Sequence, residues 1–131
     1  MGKINLKGVI IGGLVAGVVL NIIDYVLFGV VLKSQLPPMA GSVIGWFVFL
    51  DFLFGIFLVW LYAAIRPRYG AGPGTAVKAG LFAWVATGLL HALFEWPMTT
   101  MPHNVMVIGT LVALVEQPLA VVVGAKYYTE M

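Results

Sequence analysis

The stretch Gly8–Leu32, GVIIGGLVAGVVLNIIDYVLFGVVL, holds one charged residue, Asp24, in 25 positions. At 1.5 Å per residue a helix of this length exceeds the roughly 30 Å of a bilayer's hydrocarbon core. Lys3 and Lys7 precede it, as basic residues precede the apolar part of a secretory signal. The apolar run is longer than the roughly 7–15 residues of a signal's apolar region, so the segment reads as a retained membrane span.

The rest of the chain repeats this pattern. Of its 131 residues, 62% are hydrophobic and 9% are charged, with a mean hydropathy of +1.06. A soluble domain carries about 25% charged residues, so the composition is that of an integral membrane protein. Four spans are expected within one domain, residues 1–131: about Gly8 to Leu32, Ser42 to Ile65, Thr75 to Trp96 and Asn104 to Lys126. The breaks between them, KSQLPPMAG, RPRYGAGPG and PMTTMPH, carry turn chemistry. Pro67 and Pro97 mark expected helix ends, because proline disfavours helix at the residue before it. The fold class is therefore all-α, a four-transmembrane-helix bundle.

Charge placement sets an orientation. With both termini inside, Lys3, Lys7, Arg66, Arg68, Lys78 and Lys126 are cytoplasmic and only Lys33 is outside. This is the positive-inside pattern. Arg66, Arg68 and Lys78 flank the second loop and read as lipid-headgroup anchors. The net charge of +2 sits at the ends of apolar runs, which leaves no basic surface for nucleic acid. There is no cysteine, which excludes disulfides, thiolate metal sites and a cysteine nucleophile.

An internal duplication is an open reading. A shift of 71 residues aligns Lys7 with Lys78, Gly17 with Gly88 and Asp24 with Glu95. A shift of 65 aligns Asp51 with Glu116 and Tyr62 with Tyr127. Both halves start on one side, which would make two parallel-repeat helical hairpins.

Each span carries one acid: Asp24, Asp51, Glu95 and Glu116. A charged aspartate at a span's centre costs about 2.5–3.5 kcal/mol on insertion scales, so these side chains should avoid lipid. Helical rise puts Asp24 and His91 about 6 Å outward of their span centres, Asp51 about 4–5 Å, Glu95 about 12 Å and Glu116 near the middle. The acids share helical faces with small residues: Gly13 and Gly17 with Asn21 and Asp24, Gly55 with Asp51, Gly80 and Gly88 with His91 and Glu95, Ala113 and Ala120 with Glu116. Small residues are where membrane helices approach closely. The expectation is one interior cluster of Asn21, Asp24, Asp51, His91, Glu95, Glu116 and Gln117. With two histidines and no basic residue inside the spans, at least two acids should carry a proton. Pro118, inside the fourth span, removes a hydrogen bond to the Leu114 carbonyl and tends to kink the helix beside Glu116.

The bland reading is that these groups hydrogen-bond helix to helix as glue. The functional reading is a carboxylate and histidine site open to the outer side, binding or moving a small ligand, cation or proton. A non-catalytic accessory subunit of a larger membrane complex is the alternative, and a homo-oligomer is also compatible. A di-iron bundle needs paired Glu-x-x-His motifs, which are missing. Met98, Met101 and His103, with Met39 in the other outer loop, are candidate thioether and imidazole ligands for cuprous copper. A haem held by two histidines lacks its second intramembrane histidine. His91 and Glu95 have acid–base character, but no nucleophile motif accompanies them, so no catalytic residue is assigned. The cofactor is left unknown.

The segments KGVIIGGLVAGVVLNIIDYVLFGVVL and WLYAAIRPRYGAGPGTAVKAGL, with LLHALFE, resemble a group of uncharacterised small bacterial four-helix integral membrane proteins. That resemblance implies a bacterial cytoplasmic membrane and a four-helix fold. It implies no activity and carries over no functional residue.

Overall fold

A computed structural model describes residues 3–98 and 100–129. Helix α1 (Leu6–Val26) is capped by Asn5, whose side-chain oxygen accepts from the Gly8 N–H at 3.1 Å. It continues through a π-turn, Leu27–Val31, and a short 3₁₀ turn, Lys33–Gln35. Helix α2 is Gly41–Tyr69 and α3 is Pro73–Trp84. A second π-turn, Val85–Leu89, joins α3 to α4 (Leu90–Glu95), and α5 is His103–Ala125. Four apolar helical stretches, Leu6–Val31, Gly41–Tyr69, Pro73–Glu95 and His103–Ala125, are long enough to cross a membrane. The chain is an all-α integral membrane bundle of four spans.

The helices run up and down. α1 packs on α2 and α5, α2 on α3, and α3 on α5, while α2 also reaches α5 across the middle. Glycines set how close they come. A methyl group added to Gly55 would lie 2.5 Å from the Gly17 nitrogen, and one on Gly17 would lie 2.6 Å from the Phe52 ring. The same addition at Gly124 would meet the Gly12 carbonyl at 2.5 Å, and at Gly80 the Pro118 nitrogen at 2.5 Å. Pro118 thus lies against bare backbone, within the helical run of α5. The main core includes Leu20, Leu58, Val59, Tyr62, Val121 and Tyr128. A smaller cluster of Leu27, Leu32 and Val105 closes the end that carries loops 33–40 and 96–102, called here the loop end. Large apolar side chains such as Ile10, Val18, Phe47, Phe82 and Val115 are exposed on the outer surface, as contact with lipid requires.

The second span overruns its expected end. α2 passes through Pro67 and stops at Tyr69, where Gly70 adopts φ 88° and its N–H returns to the Arg66 carbonyl at 2.8 Å. A proline in the final turn forfeits a single hydrogen bond near the helix end, and the positive φ that terminates the helix is supplied by glycine. Tyr62 then accepts from the Gly72 N–H at 3.0 Å and Thr75 donates to the Tyr69 carbonyl at 3.2 Å, which fixes the turn into α3.

The two chain ends meet at the other end of the bundle. The Asn5 N–H donates to the Tyr128 hydroxyl at 3.1 Å, and its side-chain amide to the Thr129 carbonyl at 2.8 Å. Tyr128 meets Tyr62 edge-on with centroids 6.0 Å apart. Of the three basic residues expected at headgroups, Arg68 and Lys78 are exposed. Arg66 instead lies half-buried, its guanidinium 5.6 Å from the centroid of the Tyr128 ring.

Candidate functional site

Three of the four span acids converge. Asp24 from α1 is within hydrogen-bonding range of both Asp51 on α2 and Glu116 on α5. The glycine contacts explain how. Gly17 meets Phe52, and Gly12 meets Gly124, registers that put Asp51 and Glu116 about 6–9 Å nearer the chain termini than Asp24. Helical side chains lean toward their own N-terminus. α2 and α5 run antiparallel to α1, so Asp51 and Glu116 lean toward the loop end while Asp24 leans back to meet them. Asn21, one turn before Asp24, fixes the α1–α2 pairing: its amide donates to the Gly17 carbonyl at 3.0 Å and the Val48 carbonyl at 3.5 Å.

Asp24 and Asp51 are half-buried; Glu116 is 7% exposed, and its Oε2 has no hydrogen-bond partner among the described residues. Among the described residues, no lysine, arginine or histidine is within ion-pair range of the three. Two carboxyl groups can hydrogen-bond to each other only through a proton. Any hydrogen bond between two of these carboxyl groups therefore requires that one of them be protonated.

His91 and Glu95 do not join this centre. They pair with each other, Nε2 to Oε1 at 3.2 Å, with side chains 64% and 53% exposed. The expectation of a single cluster extrapolated one helical face from Gly80 to Glu95. The π-turn at Val85–Leu89 adds a residue to one turn, which rotates everything after it by about 100°. Below that turn, Trp84 donates its indole N–H to the Thr110 carbonyl at 2.8 Å and holds the third span to the fourth. Beyond it α4 diverges, leaving a cleft of about 230 Å³ against α5. Thr87, His91 and Glu95 line one side, and Gln117, Met106 and Ala113 the other. Gln117 is 6% exposed, and its Nε2 donates to Thr87 Oγ1 at 3.4 Å.

The seven expected site residues thus divide between a carboxyl centre with Asn21 beside it and a separate cleft holding His91, Glu95 and Gln117. The aligned pair Asp24 and Glu95 occupies unlike positions, whereas Asp51 and Glu116 both reach the centre. Thr87 was not singled out from sequence. Its place as a lone hydroxyl one turn before His91 was the available signal.

The loop end carries the residues of the copper expectation. His103 stacks on Trp96 with centroids 3.9 Å apart and planes 14° apart, and its Nε2 lies 3.2 Å from the Trp96 carbonyl. Met98 is 83% exposed, and Met101 lines the cleft. Among the described residues, no three histidine, cysteine, aspartate or glutamate side chains are grouped so as to hold a metal ion. Asn104 donates to Gln35 at 2.6 Å, tying the fourth span to the first connection.

Comparisons with protein families, curated proteins and solved structures found no match.

Proposed function

We propose that this membrane protein binds and exchanges protons at the Asp24–Asp51–Glu116 centre. The observation that carries the reading is the meeting of three acids from three spans with no base among them. Ionisable groups inside a membrane are costly, and glue between helices is served by asparagine, as Asn21 does here. The orphaned Glu116 Oε2 adds an acceptor that a mobile proton or water would satisfy. Asp24 lies nearest the loop end of the three, which makes that the side of exchange. The basic residues favour a cytoplasmic position for both termini, and the resemblance to small bacterial four-helix proteins favours a bacterial cytoplasmic membrane. The loop end then faces outward.

The test is proton flux into proteoliposomes under an imposed potential, read by an entrapped pH dye. The wild-type chain is expected to carry flux several-fold above empty vesicles, and the Asp51→Asn, Glu116→Gln double variant to return it to the empty level. Equal flux in both proteins would remove the proposal. Uptake of a metal cation in place of a proton would reassign the centre. The accessory-subunit reading rests on the exposed His91–Glu95 pair, which a neighbouring chain would cover. Native mass spectrometry from mild detergent shows whether one is retained.

A further inference from the structure

We infer that the cleft between the third and fourth spans is a binding site for a small organic amine in its ammonium form. The site stands apart from the carboxyl centre, and the proposal does not need that centre to exchange protons. Its floor is decided by one amide. Thr87 commits its hydroxyl proton to the Ala83 carbonyl at 2.7 Å. Toward Gln117, 3.4 Å away, Thr87 can only accept, so Gln117 must present its N–H there. The Gln117 Oε1 is thereby fixed as a carbonyl acceptor, and it is buried with no partner among the described residues. A buried acceptor left unpaired is destabilising. A ligand N–H in the cleft that Gln117 lines would pair it once the Gln117 side chain turns that oxygen to the opening.

The rim has the same polarity. His91 Nε2 and Glu95 Oε1 share a hydrogen bond. In the neutral imidazole with its proton on Nε2, His91 Nδ1 is an acceptor, and the second oxygen of an ionised Glu95 is an acceptor too. Among the described residues, no lysine or arginine lines the cleft. The polar lining thus asks for a cation that brings several donors, and an ammonium group has three. An anion would be repelled by Glu95, and an alcohol would supply one donor and no charge. Phe28, Val105, Met106 and Ala113 form apolar wall, which suits a short hydrocarbon body. At about 230 Å³ the cleft is smaller than the roughly 300–1,000 Å³ of sites for drug-sized molecules. The ligand is therefore a compact monoamine.

The experiment titrates propylamine, butylamine and benzylamine, each beside its isosteric alcohol, into the full chain in lipid nanodiscs, with empty nanodiscs as the partition blank. Calorimetry is the readout. At least one amine is expected to bind saturably, at least tenfold more tightly than its alcohol. Glu95→Gln, at an exposed position, should weaken it about tenfold, as should Gln117→Leu, while Asp51→Asn should leave it unchanged. No saturable amine binding above the blank, equal binding of amine and alcohol, or an unaltered Glu95→Gln variant would each overturn the proposal. Loss of amine binding in Asp51→Asn would also overturn it as a separate site, and would do so whatever the proton-flux result.

Discussion

The Trp84 indole N–H reaches across to the Thr110 carbonyl at 2.8 Å. On the chain-terminus side of this bond the third and fourth spans are in contact, down to Gly80 against Pro118. On the other side the third span passes through its π-turn and the cleft opens. Replacing Trp84 with phenylalanine keeps the aromatic body and deletes the donor. The expected cost is about 1 kcal/mol, the net value of one such hydrogen bond. Denaturation in a mixed-micelle system measures it. Amide exchange should rise in Leu90–Glu95 and hold steady at Gly12–Gly17; uniform acceleration would mean that the bond does not localise the opening.

Gly55 is one of the tightest points of the α1–α2 contact, with room for no side chain against Gly17. Gly55→Val should separate the helices and destabilise the bundle by about 1–3 kcal/mol, the usual range for overpacking. Gly41 and Gly45, with nothing within 4 Å of an added methyl group, should tolerate alanine without loss. Equal effects at positions 45 and 55 in the same unfolding assay would contradict the packing described here.

A proton shared in the carboxyl centre would have a direct spectroscopic signature. Infrared spectra of the membrane-reconstituted chain should contain the carbonyl stretch of a protonated carboxyl group. Asp24→Asn removes the residue common to both contacts, and should shift or abolish that band. Glu95→Gln, far from the centre on an exposed face, should not change it. A band indifferent to Asp24 would show that the proton resides elsewhere.

Asn5 combines three roles: helix cap accepting from Gly8, backbone donor to Tyr128, and side-chain donor to Thr129. Asn5→Ala should cost about 1 kcal/mol for the cap alone. A larger loss, with faster exchange at Gly8 and Val9, would measure the added tie to the C-terminal segment. A neutral result in thermal unfolding would mean that water replaces these contacts.

Much of this architecture was legible in the residues. Apolar length alone located the four spans within a few positions, because a bilayer sets how long a helix must be. Gly13, Gly17, Gly55 and Gly80 marked close contacts, since nothing larger fits between touching backbones. The face from Gly80 to Glu95 was misjudged for a physical reason. A π-turn over Val85–Leu89 contains no proline and leaves no composition signal, yet it re-aims His91 and Glu95 away from the interior. Pro67 was likewise over-weighted: what ends α2 is the positive φ of Gly70, three residues later.

The link from Asn5 to Tyr128 and Thr129 makes the described polypeptide almost a closed ring. A short peptide bridge from residue 129 back to residue 3 would circularise it without moving a helix. Such a ring would resist exopeptidases, and a cut in one of the connections between helices would yield a circularly permuted sequence with the same four-helix body.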